Sequence, residues 1–371
     1  MRELTREDLL NILYGCAILG TGGGGTLEDG ISLVDKAFDA GKKFVLADFD
    51  EVDPETLIGT PYFCGAISPI TEEERKKFGS LPKPEKDPSL IALETVEKFL
   101  GKSVPAMIST ELGADNTAIA FYTAAMNDRI ILDGDPAGRS VPGLQHSTYY
   151  LDDIPMYPLG ACTDFGESMV ISYLPNDMRG EDILRAVAAA SLNSVAIVDH
   201  IAPAKDIGAS VIKGAITRAE KIGKAFREAI SSESGFEIDL GDTVTQAAGG
   251  KRIFQGVVRE NTFETRDGYT FGDMYMDGEG EWEGHELHIW YQNENIMCYL
   301  DNEVYVTVPE LIVVLNLDDK TPQMNPLAKT GTHVDVLCFP ADKPWMTEKG
   351  LSVFGPKSFG FEKEWAPFLE Y

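Results

Sequence analysis

The segment RIILDGDPAGRSVPGLQHSTYYL, residues 129–151, gathers Asp133, Asp135, Arg139, Gln145 and His146 on one irregular stretch. Two carboxylates, a guanidinium, an amide and an imidazole supply most of what acid–base hydrolysis requires. A structural Asp–Arg pair within the loop would account for part of the same pattern. Upstream, STELGADNTAIAF (109–121) places Glu111 just beyond the apolar run VPAMI. That is the carboxyl end of an expected strand, where ligands bind in open α/β sheets. Gly113 then turns the chain, and Asp115 or Asn116 is expected to cap the following helix. Glu111 and Asn116 are read as functional candidates, Asp115 as structural.

The third stretch, LGTGGGGT (19–26), sets Gly22, Gly23, Gly24 and Gly25 side by side. Each glycine loses more backbone freedom on ordering than any other residue, so the run needs a reason. One reason is a tight turn; the other is a cradle of backbone N–H groups for a carboxylate, phosphate or oxyanion. The run follows a helical pattern rather than a strand and lacks the lysine of a P-loop, so neither phosphate-loop fingerprint applies. The candidate catalytic groups are thus Glu111, Asp133, Asp135 and His146. The candidate substrate contacts are Gly22–Gly25, Asn116, Arg139 and Gln145.

Asp133 and Asp135 are hard oxygen donors that His146 would complement around a divalent cation. No spacing is diagnostic of one, so no metal ligand is assigned and the cofactor stays open. His285 and His288, three apart in GHELHIW, would point to opposite faces of a strand. His200 and His333 sit in apolar surroundings and read as satisfied core or edge histidines. The run Gln292–Asn295 lies between aliphatic strands and would face either a crevice or a solvent-exposed hairpin edge.

The elements that must position these groups are legible as patterns. Thr5, followed by Asp8 and by Leu9, Leu10, Ile12 and Leu13, predicts a helix running to the glycine cluster. GISLVDKAFDAGKK predicts a second, ending at Gly41. FVLADFDEV, TPYFCGAIS, SVPAMISTEL and DRIILDGD read as strands, and LIALETVEKFLGK and NTAIAFYTAAMN as helices between them. This alternation predicts βα units around a largely parallel sheet. After the helix GAITRAEKIGKAFREAI, from about Asp239, aromatic and β-branched runs separated by Gly, Asp and Asn turns predict antiparallel hairpins closing into a barrel or sandwich. The expected organisation is an α/β domain over 1–165 and a β-rich domain over 166–371.

The chain has 371 residues, 43% hydrophobic and 25% charged, enough for a large core. Its net charge of −28 is spread along the sequence, so nucleic acid and anionic membrane surfaces are not expected partners. Five cysteines without a CxxC pair argue against a disulfide framework or a thiolate zinc site. The charged opening MRELTREDLLNIL is unlike a signal peptide, and no apolar run approaches the roughly 20 residues that span a bilayer. A cytoplasmic protein is expected, and a homo-oligomer is compatible with everything above.

ILGTGGGG, STELGADNTAIAF, ILDGDPAGRSVPGLQ, YQNENI, TVPELIVVL and GPKSFGFE occur in this order. On these six motifs, which span nearly the whole chain, the sequence resembles the family long catalogued as DUF917 and now named for S-methyl thiohydantoin desulfurase. The resemblance implies a three-layer α/β amino-terminal domain, a mostly β carboxyl-terminal domain and an association with hydantoinase- and oxoprolinase-type proteins. It also implies hydrolysis of a small cyclic substrate, with water attacking the ring carbon that bears sulfur and methanethiol leaving. In that scheme the glycine amides would stabilise the adduct. Glu111 or Asp135 would take the water's proton, and Arg139 or His146 would orient the ring. Two alternatives stand beside it: a non-catalytic partner of a hydantoinase- or oxoprolinase-type enzyme, and a nucleotide-binding enzyme.

Overall fold

A computed structural model describes residues 1–65, 70–232 and 239–370, except the side chain of residue 74. In chain order the first elements are β1 (Arg2–Leu4), α1 (Arg6–Leu19), α2 (Leu27–Asp39), β2 (Phe44–Ala47), β3 (Leu57–Gly65), α3 (Glu72–Phe78), α4 (Pro88–Leu100), β4 (Ala106–Met107), α5 (Ala114–Met126), β5 (Ile130–Leu132) and β6 (Gly134–Asp135). There follow α6 (Thr148–Leu151), β7 (Leu159–Thr163), β8 (Ser168–Ile171), α7 (Asp177–Ala189), β9 (Ser194–Pro203), α8 (Ala204–Ser210), β10 (Ile212–Lys213), α9 (Ala215–Ser231) and α10 (Leu240–Ala248). The remainder is β-rich: β11 (Lys251–Arg266), β12 (Tyr269–Gly278), β13 (Glu286–Gln292), β14 (Glu294–Leu300), β15 (Glu303–Thr307), β16 (Leu311–Asn316), β17 (Thr321–Pro322) and β18 (His333–Phe339), closed by α11 (Glu348–Phe354).

Local sequence explains the helix ends. Thr5 and Asp8 form the reciprocal capping box expected of them at the start of α1. Thr26 caps α2 by accepting from the Asp29 amide, and Gly101, at φ 65°, ends α4. The helix after Glu111 departs from expectation. Its N-cap is Gly113, with no side-chain cap, which leaves Asp115 and Asn116 free for other contacts.

The first sheet has the order β1-β2-β5-β4-β3-β9-β7-β8. Only its centre, β2-β5-β4-β3, is parallel; β1 and the β9-β7-β8 side run antiparallel. The sheet is therefore mixed, because β9 enters from residues 194–203 and pairs with β3 in the opposite direction. It also takes in strands that lie beyond residue 165. Alternation along its strands feeds two cores. Met107 and Ile131 face the cluster of α1, α2, α4 and α5, whereas Ala106 and Leu132 face Tyr149 and Ile207 on the opposite side. Helices on both faces make three layers.

The second sheet is antiparallel throughout, in the order β15-β14-β13-β12-β11-β18-β16-β17. It curls one face around a core of its own, built from Met274, Ile289, Cys298, Ile312 and Val336. The alternate residues Leu311, Val313, Leu315, Leu337 and Phe339 point the other way and join the core of α1 and α9. All five cysteines are free and buried. Among the described residues no helix is long and apolar enough to cross a membrane.

Candidate functional site

The glycine run, the Glu111 segment and residues 141–147 converge on one cavity of about 250 Å³, and β14 closes it from the second half of the chain. Leaving α1, the chain turns through Thr21, Gly22, Gly24 and Gly25, all at positive φ. The space around the run is as restrictive as its dihedrals. A Cβ on Gly22 would overlap the Asn325 side chain, on Gly23 the Glu294 carboxyl, on Gly24 the Gly113 backbone and on Gly25 Asp115. The Gly24 carbonyl accepts the Asp115 and Asn116 amides, tying the run to the start of α5. Gly24 and Gly25 line the cavity; Gly22 and Gly23 lie behind it against the β-rich half.

Glu111 accepts one donor on each carboxyl oxygen. Asn116 Nδ2 donates to Oε1 at 2.7 Å and the Val141 amide to Oε2 at 2.8 Å. Asn116 is in turn fixed by accepting the Phe63 amide, so it positions Glu111 and β3 together. Burial pushes the Glu111 carboxyl up, while these donors and the cations of Arg139 and Arg185 oppose that shift. Asp115 also lines the cavity, and burial with the nearby Asp29 pushes it up to about 7.

The Asp–Arg loop divides between scaffold and site. Asp133 accepts the Ile216 and Thr217 amides and the Thr217 hydroxyl, so it caps α9 across the chain and stands outside the cavity. One Asp135 oxygen accepts the Ala137 and Gly138 amides; the other has no partner among the described residues, and burial pushes the carboxyl to about 7. Asp135 does not line the cavity either. Arg139 is fully buried and donates to the carbonyls of Ser140, Asn295, Pro309 and Glu310 and to the Thr21 hydroxyl. It bolts the glycine run to the second sheet, and every donor is spent on the fold.

His146 does line the cavity, packed against Phe354 and Phe359. Its Nδ1 accepts the Gly143 amide at 3.0 Å, so the proton of the neutral ring sits on Nε2. Burial and the two neighbouring arginines push the ring down to about 3, which keeps it neutral. The Gln145 side-chain amide lies 3.3 Å from that Nε2, outside the cavity lining.

Several lining groups were not among the sequence candidates. Glu294 is 2% exposed, one of its oxygens has no partner among the described residues, and burial beside Glu111 drives its carboxyl well up. Arg185 donates to Glu181, Pro142 and Gly268 while stacking on Tyr269, so α7, the cavity loop and the β11–β12 hairpin meet at one guanidinium. On the far wall, His200 is no apolar core histidine. Its Nδ1 lies 2.8 Å from Asp199, which also accepts the Tyr62 hydroxyl, and its ring stacks on Tyr149. Burial lowers the ring, but the carboxylates of Asp199 and Asp177 outweigh it and lift it to about 9. The adjacent Asp199 and His200 inside an apolar strand were the signal for this wall. The polar run 292–295 was the signal for Glu294. Among the described residues no cluster of three or more His, Cys, Asp or Glu side chains is arranged to hold a metal ion.

Comparison with known proteins adds to this geometry. The family model described as S-Me-THD-like, N-terminal domain, matches residues 7–173, and that for the C-terminal domain matches 175–368. A crystal structure of a protein from Chromobacterium violaceum, a structural-genomics target, superposes with a TM-score of 0.77 at 19% identity, covering 99% of this chain and 100% of that one. It shares the fold. A search of curated proteins gives no match.

Proposed function

The chain belongs to the S-Me-THD-like family, and we propose that it hydrolyses an S-methyl thiohydantoin to the hydantoin and methanethiol. The observation that carries this reading is the convergence of Gly24–Gly25, Glu111 and residues 141–147 around one small cavity. Its volume of about 250 Å³ falls below the range of about 300–1,000 Å³ typical of drug-sized ligands, which suits a single five-membered ring.

Water adds to the ring carbon bearing sulfur, the C=N pair passes to the ring nitrogen, and Glu111 accepts one proton of the water. Asn116 and the Val141 amide keep that carboxylate ionised and aimed. The adduct expels methanethiolate, which leaves as methanethiol after protonation, while its hydroxyl proton passes to the ring nitrogen and the ring carbon becomes the second hydantoin carbonyl. Backbone groups of Gly24 and Gly25 form the wall nearest α5, where N–H donors would meet charge developing on the ring.

Turnover is read by thiol-reactive dye and by chromatography of the hydantoin. Wild-type protein is expected to release the two products in equal amounts. Glu111→Gln, with folding intact, is expected to lose about 100- to 10,000-fold in kcat, the usual contribution of a general base. Absence of methanethiol from wild type, or a Gln variant of normal rate, sinks the reading.

A further inference from the structure

Resting on the desulfurase reading, we propose that Glu294, delivered from the β-rich half, is the acid that protonates the departing sulfur opposite Glu111. Three features of the fold converge on this carboxyl. Register shifts by one residue between Trp290 and Tyr291 where β13 pairs with β14, and Asn293 turns the hairpin at φ 57°. Bulges of this kind re-aim side chains beside active sites. The second feature is room: the Glu294 carboxyl occupies the space a side chain on Gly23 would fill, so that glycine exists to admit it. The third is an unmet need. Glu294 lines the cavity at 2% exposure, and its Oε2 has no hydrogen-bond partner among the described residues.

An orphaned buried oxygen is expensive as a bare anion and natural as an O–H waiting for an acceptor. Glu111 has the opposite inventory, one donor on each oxygen, which favours the ionised form against the cost of burial. Two carboxyls sharing a site divide into one charged and one neutral member, and here the hydrogen bonds say which is which. The charged groups acting on Glu294 are Glu111, Arg139 and Arg185. In the reaction, Glu111 takes one proton of the attacking water as the C–O bond forms and the C=N pair moves to the ring nitrogen. When the adduct collapses, its hydroxyl proton passes to that nitrogen, the C=O forms and the C–S bond breaks. The sulfur takes the bond pair and the Glu294 proton together and leaves as CH₃SH. Exchange with solvent then moves one proton from Glu111 to Glu294, and the starting state is restored.

The test compares Glu294→Gln and Glu111→Gln on two substrates, the S-methyl thiohydantoin and its S-(2,2,2-trifluoroethyl) analogue, whose thiol leaves without help. Gln reproduces the shape and hydrogen bonding of a neutral carboxyl and cannot give up an acidic proton. Glu294→Gln is expected to keep hydantoin affinity and thermal midpoint, to lose about 100-fold or more in kcat on the methyl substrate, and to recover most of that loss on the trifluoroethyl one. Glu111→Gln is expected to be equally poor on both. Equal deficits of Glu294→Gln on the two substrates, or wild-type rates on both, overturn the assignment. Infrared spectra at neutral pH read the proton without turnover. A protonated-carboxyl band removed by Glu294→Gln and kept by Glu111→Gln supports the neutral state of Glu294 on which the assignment depends, separately from any failure of the desulfurase reading. A spectrum without that band overturns it.

Discussion

Asp115 sits where the glycine run meets α5, with Gly25 against its Cβ and Asp29 close enough to repel it. Its carboxyl is raised from 3.8 to about 7, so the folded protein keeps the proton to higher pH than the unfolded chain does. Stability attached to this group is complete below pH 4, drains as pH rises towards 7 and is gone above it. A rise of that size is worth roughly 4 kcal/mol at most. Asp115→Asn is therefore expected to stabilise the protein at pH 8 and to leave it unchanged at pH 4, read from urea midpoints; equal gains at both would contradict this. The sequence made Asp115 a cap, yet Gly113 took that place. At this scale residue types were legible and hydrogen-bond destinations were not. Asp133 looked as reactive as Glu111, but its partners lie 83 and 84 residues away in α9. His146 looked like an acid–base group, whereas burial and two arginines hold it neutral.

At the scale of elements, the turn after α1 works by close approach more than by flexibility. Gly23 has an ordinary φ and is required only because Glu294 fills the space beside it. Gly101 is the opposite case: it sits at φ 65° with open space around its Cα. Gly23→Ala should displace the Glu294 carboxyl, lowering kcat at least tenfold and stability by about 1–3 kcal/mol as overpacking does. Gly101→Ala should lower stability through backbone strain alone and leave kcat untouched. Parallel kinetic and unfolding measurements separate the two, and an unimpaired Gly23→Ala variant would remove the close-approach argument. Helices and hairpins could be read from the chain because caps, turn residues and periodicity are local. The direction of β9 could not, since its pairing with β3 spans more than a hundred residues and depends on the whole sheet. Only two residues of the expected strand before Glu111 pair in the sheet; the rest of SVPAMISTEL descends to the site as irregular backbone.

At the scale of the molecule, the two halves share what separate domains would each own. Leu311, Val313, Leu315, Leu337 and Phe339 of the second sheet pack in the same core as Leu13, Ile216 and Ile222 of α1 and α9. Arg139 spends its guanidinium on carbonyls of residues 295, 309 and 310 and on the hydroxyl of Thr21. Removing either half would strip water-excluding cover from the other and leave a buried cation without acceptors, a loss of several kcal/mol. The halves should therefore unfold together. The chain carries separate optical reporters for them: all four tryptophans, Trp282, Trp290, Trp345 and Trp365, lie in the second half, whereas ten of the eleven α-helices among the described residues lie before residue 250. Tryptophan fluorescence thus follows the β-rich half and, through Trp345 hydrogen-bonded to the Ala137 carbonyl, its junction with the first, whereas far-ultraviolet dichroism at 222 nm follows the helical half. Their urea transitions are expected to superimpose. Arg139→Lys keeps the charge but cannot span the same acceptors, so it should lower both midpoints by the same amount. Two resolved transitions, or a variant that shifts only one, would show that the cavity is assembled from independently stable domains, and that Glu294 reaches Glu111 by docking rather than by folding.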